Sequence, residues 1–260
     1  MTTKNRILAA AAADIRAFCA ANADPARAAR YARFFTEGYD AYGIPKDAWE
    51  ANRLRFYEQY RNRLGLEDFL DLGDTLFASG KYEEASFAIT CLLPLRDQFT
   101  PETFQRIGHW LERGVRNWAH GDVICGELLG PCLKRRVASH SCMSSWRDSE
   151  TKWKRRAVPV ALLSLLGGSV ETKTLLRFIR PMMEDKERVV HQGLGWFLRE
   201  AWKREPAPVE EFLMEWKATA PRLIFQYATE KMTADQKARY RRSAGAKVPA
   251  GRKGSTIKGK

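Results

Sequence analysis

The sequence predicts an all-α fold: a HEAT-like helical-repeat solenoid, a curved stack of antiparallel helix pairs with a concave basic face. Three observations predict it. Apolar residues recur with a helical period, while alternating β-branched runs closed by Asn-Gly or Asp-Gly turns are nearly absent. Helix candidates follow one another with short links. Finally, aromatic and charged segments recur at near-equal steps. Trp118 to Arg156 is 38 residues and Arg156 to Trp196 is 40, the step that stacked helix pairs give.

The elements are justified in order. Residues 5–20 read as a first amphipathic helix, because Asp14 and Arg16 interrupt the alanine run that could otherwise suggest a signal peptide. Asp24-Pro25 reads as a cap and first turn leading into a helix over 26–36. The breaker-rich stretch 38–45 is a connection, and Pro45 starts a helix through Trp49, Leu54 and Tyr57. Further helices are expected over 66–79, 82–93, 101–115, 122–132, 133–141, 151–166, 170–183, 188–203, 208–217 and 221–231. Thr100-Pro101 is a strong start signal. Gly167-Gly168 ends a helix. Gly193 and Gly195 lie inside a helical pattern, where they permit close approach of a neighbouring helix or a ligand backbone.

An internal echo supports the repeats. Lys81-Tyr82-Glu83-Glu84-Ala85 returns loosely 71 residues later as Lys152-Trp153-Lys154-Arg155-Arg156-Ala157. Glu83 and Glu84 give way there to Lys154, Arg155 and Arg156.

Composition narrows the partners. The chain has 260 residues, 45% hydrophobic and 11% aromatic, which excludes wholesale disorder. Its formal charge is +13, which points to a polyanion, either nucleic acid or an anionic membrane. Residues 1–240 read as one repeat domain and 241–260 as a basic disordered tail. The tail carries seven cations and no acid, leaving +6 on the body. It is either a plain solubilising end or a non-specific electrostatic contact to nucleic acid. No run approaches membrane-spanning length, and a soluble, cytoplasmic, nucleoid-associated monomer without an obligate protein partner is expected. The five cysteines are irregularly spaced and suit reduced thiols. Cys125, Cys132, His140 and Cys142 fit no common zinc module, so no metal is expected.

Three segments together suggest a site: Asn117-Trp118-Ala119-His120-Gly121-Asp122, Trp153-Lys154-Arg155-Arg156-Ala157 and Gly195-Trp196-Phe197-Leu198-Arg199-Glu200. Trp118 and Asp122 share a face if one helix carries both. If the helix instead starts at Asp122, the carboxylate is a cap. Arg156 follows Lys152, Lys154 and Arg155 on an element marked as buried by the apolar run 158–166. Cations on such an element need an anion, for which phosphate is suited. Trp196 is either core or an aromatic platform.

The joint pattern resembles the AlkD-like family of DNA alkylation repair glycosylases, over most of residues 25–240. The resemblance rests on Trp118-x-x-x-Asp122, the 153–157 segment, Asp185 followed by Gly193-Leu194-Gly195-Trp196-Phe197-Leu198-Arg199-Glu200, Tyr227-Ala228-Thr229-Glu230-Lys231-Met232, and Tyr39-x-x-Tyr42-Gly43-Ile44-Pro45. It implies a monofunctional enzyme without cofactor. Such an enzyme would hydrolyse the N-glycosidic bond of cationic N3- and N7-alkylated purines in double-stranded DNA, without base flipping. It implies Asp122 as the catalytic carboxylate, Trp118 and Trp196 as aromatic walls, and Arg156 on the backbone phosphate. Arg155 is an adjacent alternative to Arg156, and Arg199 and Lys154 are further DNA contacts. Arg188-Val189 stand shortly before the Gly-x-Gly-Trp segment, where the family often has bulky residues. A non-catalytic duplex-binding relative and a HEAT-type interaction scaffold are the alternative functions.

Overall fold

The computed structural model describes residues 2–241; the tail over 241–260 lies outside them apart from Arg241. The chain is all-α, and no strand occurs among the described residues. Its helices are α1 (Thr3–Ala21), α2 (Pro25–Ala32), α3 (Lys46–Asn52), α4 (Arg55–Tyr60), α5 (Leu66–Ala78), α6 (Tyr82–Leu92), α7 (Pro101–Arg113), α8 (Trp118–Val123), α9 (Gly130–Lys134), α10 (Lys152–Leu162), α11 (Thr172–Ile179), α12 (Arg188–Trp202), α13 (Pro206–Trp216), α14 (Arg222–Ala228) and α15 (Ala234–Ala238). The apolar faces merge into a continuous core that runs from Ala11 to Tyr240.

The repeat is written into the long-range hydrogen bonds. Ser86 reaches His120, Arg156 reaches Asp122 and Gln192 reaches Tyr227, spanning 34, 34 and 35 residues. Trp110 reaches Asp74 across 36. These helices therefore present polar side chains to a counterpart one repeat away. In the second half α10 packs against α8 and α12, and α12 packs against α14. These contacts make a row along which side chains of different repeats converge.

Local chemistry explains where the helices differ from the sequence expectation. The helix expected over 26–36 stops at Ala32, because the chain turns through Phe34 and Phe35, whose amides donate to Tyr31 O and Ala32 O. The turn closes at Gly38 with φ of 105°, a left-handed value that suits glycine. The helix through Trp49, Leu54 and Tyr57 is broken into α3 and α4. The helix expected from 122 starts four residues earlier, because Asn117 Oδ1 accepts from His120 N at 2.9 Å. The separate helix expected over 133–141 does not form, because α9 ends at Lys134. The chain reverses at Arg136, φ 60°, and continues as 3-10 turns over His140–Asp148. The unexpected α15 is started by a capping box between Thr233 and Gln236.

Directly after α8 the helix widens into π turns over Ile124–Leu129. Pro131 accounts for it. Proline has no N–H to give Glu127 O four residues back, and Arg96 Nη1 donates to that carbonyl instead, at 3.4 Å. The widened segment begins two residues after Asp122.

Candidate active site

Asn117 decides the geometry of the first segment. By capping α8 ahead of Trp118, it places Trp118 and Asp122 four residues apart on one helix, hence on one face. The reading of Asp122 as a cap is thereby corrected: it lies in the last turn of α8. Arg156 on α10 donates Nε to Asp122 Oδ1 at 3.0 Å and Nη2 to Oδ2 at 2.9 Å. Its Nη1 donates to Val189 O at 2.7 Å. The guanidinium is buried and the carboxylate nearly so. A guanidinium has five N–H donors; three are committed here, so two are left for an anion. Burial raises the Asp122 carboxyl above its ordinary 3.8, with the Arg156 bonds opposing that shift.

Arg156 also lines a cleft of about 260 Å³, together with Trp118, Gln192, Trp196, Arg199 and Tyr227. Gln192, Trp196 and Arg199 are spaced by four and three residues, one stripe of α12. Trp118 is 44% exposed there and Trp196 is partly buried against the core. Arg199 is held by Glu200 at 3.0 Å and Glu230 at 2.5 Å. Gln192 and Tyr227 were missed as site residues. Gln192 Nε2 donates to the Tyr227 hydroxyl at 3.0 Å. Its position one turn before Trp196 is the signal that could have found it.

The glycines of α12 set the depth of this cleft. A Cβ on Gly195 would lie 2.4 Å from Tyr227 Cβ and 2.8 Å from Ile224 O, and one on Gly193 would press on Pro159 and Arg156. Both serve close helix approach, one towards α14 and the other towards α10.

Lys154 and Arg155 point elsewhere. Lys154 Nζ donates to Glu112 at 2.5 Å and lies 5.2 Å from the centre of the Trp146 ring. Arg155 Nε donates to Asp185 Oδ2 at 2.6 Å, and its Nη1 donates to Ser149 O and Glu150 O at 2.6 and 3.1 Å. Both are buried, and neither lines the cleft. Between the two adjacent arginines, Arg156 is the one at the site. The echo with residues 81–85 has the same logic. Glu83 is buried, and accepts from the amides of Tyr42, Gly43 and Ile44 at 2.8, 2.7 and 3.2 Å. In both copies the charges at the helix start tie neighbouring repeats together.

Trp118 is braced by rings from four other places in the sequence. It stacks on Phe35 (5.6 Å between centroids, 16°), which stacks on Tyr39 (4.5 Å, 5°). Tyr39 meets Tyr82 at 5.0 Å, and Tyr82 stacks on His120 at 4.3 Å. His120 is buried, which lowers its pKa to about 4. Its tautomer follows from the neighbours: Asn117 Nδ2 donates to Nδ1, so Nε2–H donates to Ser86 Oγ, which donates to Tyr82 O.

The comparisons bear on the family and the fold. A family model described as DNA alkylation repair enzyme matches residues 15–232. A solved structure described as a predicted DNA alkylation repair enzyme from Enterococcus faecalis superposes with a TM-score of 0.71 at 17% identity, covering 82% of this chain and 98% of its own. No curated protein matches the sequence. With Asp122, Arg156 and both tryptophans gathered inside the matched region, the chain belongs to the DNA alkylation repair enzyme family.

Proposed function

We propose that this protein is a monofunctional DNA glycosylase for cationic N3- and N7-alkylated purines in duplex DNA. The carrying observation is the bidentate bonding of Asp122 by Arg156, which itself lines a cleft walled by Trp118 and Trp196. An alkylated purine already carries positive charge, so its bond to C1′ is weak. When that bond breaks, its electron pair neutralises the departing base and leaves an oxocarbenium-like sugar. Water then adds to C1′, and its proton passes to Asp122 or solvent. One ionised carboxylate can stabilise the cation and orient that water. The indole faces favour the same cation.

Arg156 has two tasks in this reading. It holds Asp122 ionised and aligned, and its two uncommitted N–H groups can take a phosphate oxygen beside the lesion. Arg199 lies further along the same α12 stripe, and Lys154 and Arg155 act as struts. A broad cleft of this size, lined by aromatic and cationic groups, suits recognition of the sugar-phosphate face better than a fully enclosing base pocket. Because the carboxylate must be ionised, base release should fall as pH falls through the raised Asp122 pKa.

The second reading is a duplex-binding relative without activity. It is favoured by the closed ion pair, in which both Asp122 oxygens already have a cationic partner. Incubation with duplexes carrying 7-methylguanine or 3-methyladenine decides. Free base above the spontaneous rate is expected; duplex binding with no release from either lesion would support the second reading.

A further inference from the structure

The turn that follows α2 carries the most exposed large apolar side chain among the described residues. Phe34 is 52% exposed, with Tyr31 beside it at 44% and a centroid distance of 6.2 Å. Exposed aromatics of this size on a monomer need a reason. The surroundings are basic. Arg33 lies over the Phe34 ring at 4.7 Å, and Arg30 and Arg33 are exposed with no carboxylate partner among the described residues.

The turn is fixed to the cleft rather than loosely attached. Trp118 Nε1 donates to Phe34 O at 3.2 Å, so the backbone bearing Phe34 touches the cleft wall. The next ring, Phe35, stacks on Trp118. Glu37 pairs with Lys152, the first residue of the helix that carries Arg156. Three ties thus connect residues 34–37 to both sides of the proposed site. A fixed turn that offers an exposed ring with a guanidinium over it and a second exposed arginine on the preceding helix has the chemistry of a nucleic-acid platform: the ring stacks on a base or sugar and the cations meet phosphates.

We infer that Phe34, with Arg33 and Arg30, forms a second DNA-contacting wall that engages the duplex beside the lesion. The inference rests on the reading that the cleft takes duplex DNA. Charge complementarity and continuity with Trp118 select this occupant. Phe34 would supply stacking or sugar contact, and the arginines would supply phosphate contacts that set part of the salt dependence.

The test measures binding of the full-length protein to a duplex with a central tetrahydrofuran abasic analogue, across a salt series. Phe34→Ala is expected to weaken binding about tenfold with an unchanged salt slope, and Phe34→Trp to restore it. Arg33→Ala is expected to lower the slope by about one. The Phe34 ring is exposed, so unchanged thermal unfolding of Phe34→Ala should verify that the fold is intact. Wild-type binding that Phe34→Ala matches across the salt series would overturn this inference and leave the proposed function standing. Failure of the wild type to bind any duplex would overturn both.

Discussion

Arg156 grips both oxygens of Asp122 from 34 residues away, at 3.0 and 2.9 Å, while its third nitrogen is anchored on Val189 O. The pair joins α8 to α10, and the Val189 anchor joins α10 to the start of α12. One guanidinium thus registers three repeats around the cleft. A buried pair of this kind contributes little net stability when intact and costs much when broken, because the remaining charge is left without its partner.

Arg156→Lys keeps the charge but cannot bond both oxygens and the carbonyl together. It should lower stability by about 2–3 kcal/mol and reduce base release more strongly than duplex binding. Urea unfolding and single-turnover kinetics on one preparation check both. Wild-type stability in the variant would mean that the fork is not holding the repeats.

Arg155 offers the contrast, since it bonds Asp185 and two carbonyls instead of facing the cleft. Arg155→Ala should destabilise by about 3 kcal/mol yet leave the salt slope of DNA binding unchanged below the melting range. A double-mutant cycle with Asp185→Asn should show strong coupling. A slope reduced by about one would instead make Arg155 a phosphate contact.

His120 makes stability depend on pH. Its folded pKa, about 4, lies below its ordinary 6.5. As pH falls below 6.5 the unfolded chain takes up a proton that folded His120 refuses, so stability is lost between 6.5 and about 4. Thermal melts across that window should show the loss, and His120→Gln should flatten it relative to wild type. Equal pH dependence in both proteins would remove His120 as the cause.

Gly195→Ala tests the close approach of α12 and α14. The added methyl meets Tyr227 Cβ and Ile224 O, neither of which is the end of a flexible side chain. A loss of about 2–3 kcal/mol is expected, with weaker duplex binding because Tyr227 must move. A variant as stable as wild type would show that the helices can part without cost.

Much of this architecture is legible in the sequence for a physical reason: helical periodicity and repeat spacing are local or regular. The steps between Trp118, Arg156 and Trp196 place them around one cleft because each repeat adds a similar rise. What stayed hidden was not periodic. Asn117 caps through a single side-chain oxygen, and that one bond decides whether Asp122 is a cap or shares a face with Trp118. The choice between Arg155 and Arg156 depends on partners 30 and 34 residues away in the sequence. Phe34 and Phe35 read as the end of a helix, although the chain turns there to stack on Trp118. Pro131 sat inside an expected helix, and its effect on the turn after Asp122 follows from the missing N–H, which could have been foreseen.

The most direct test of the account is single-turnover release of free 7-methylguanine from duplex DNA by Asp122→Asn beside the wild type. The amide is nearly isosteric but cannot stabilise a sugar cation as a carboxylate does. The account predicts a loss of at least about a hundredfold in release, with duplex affinity within about threefold of wild type because Arg156 and the tryptophans remain. Release by Asp122→Asn at the wild-type rate would contradict it.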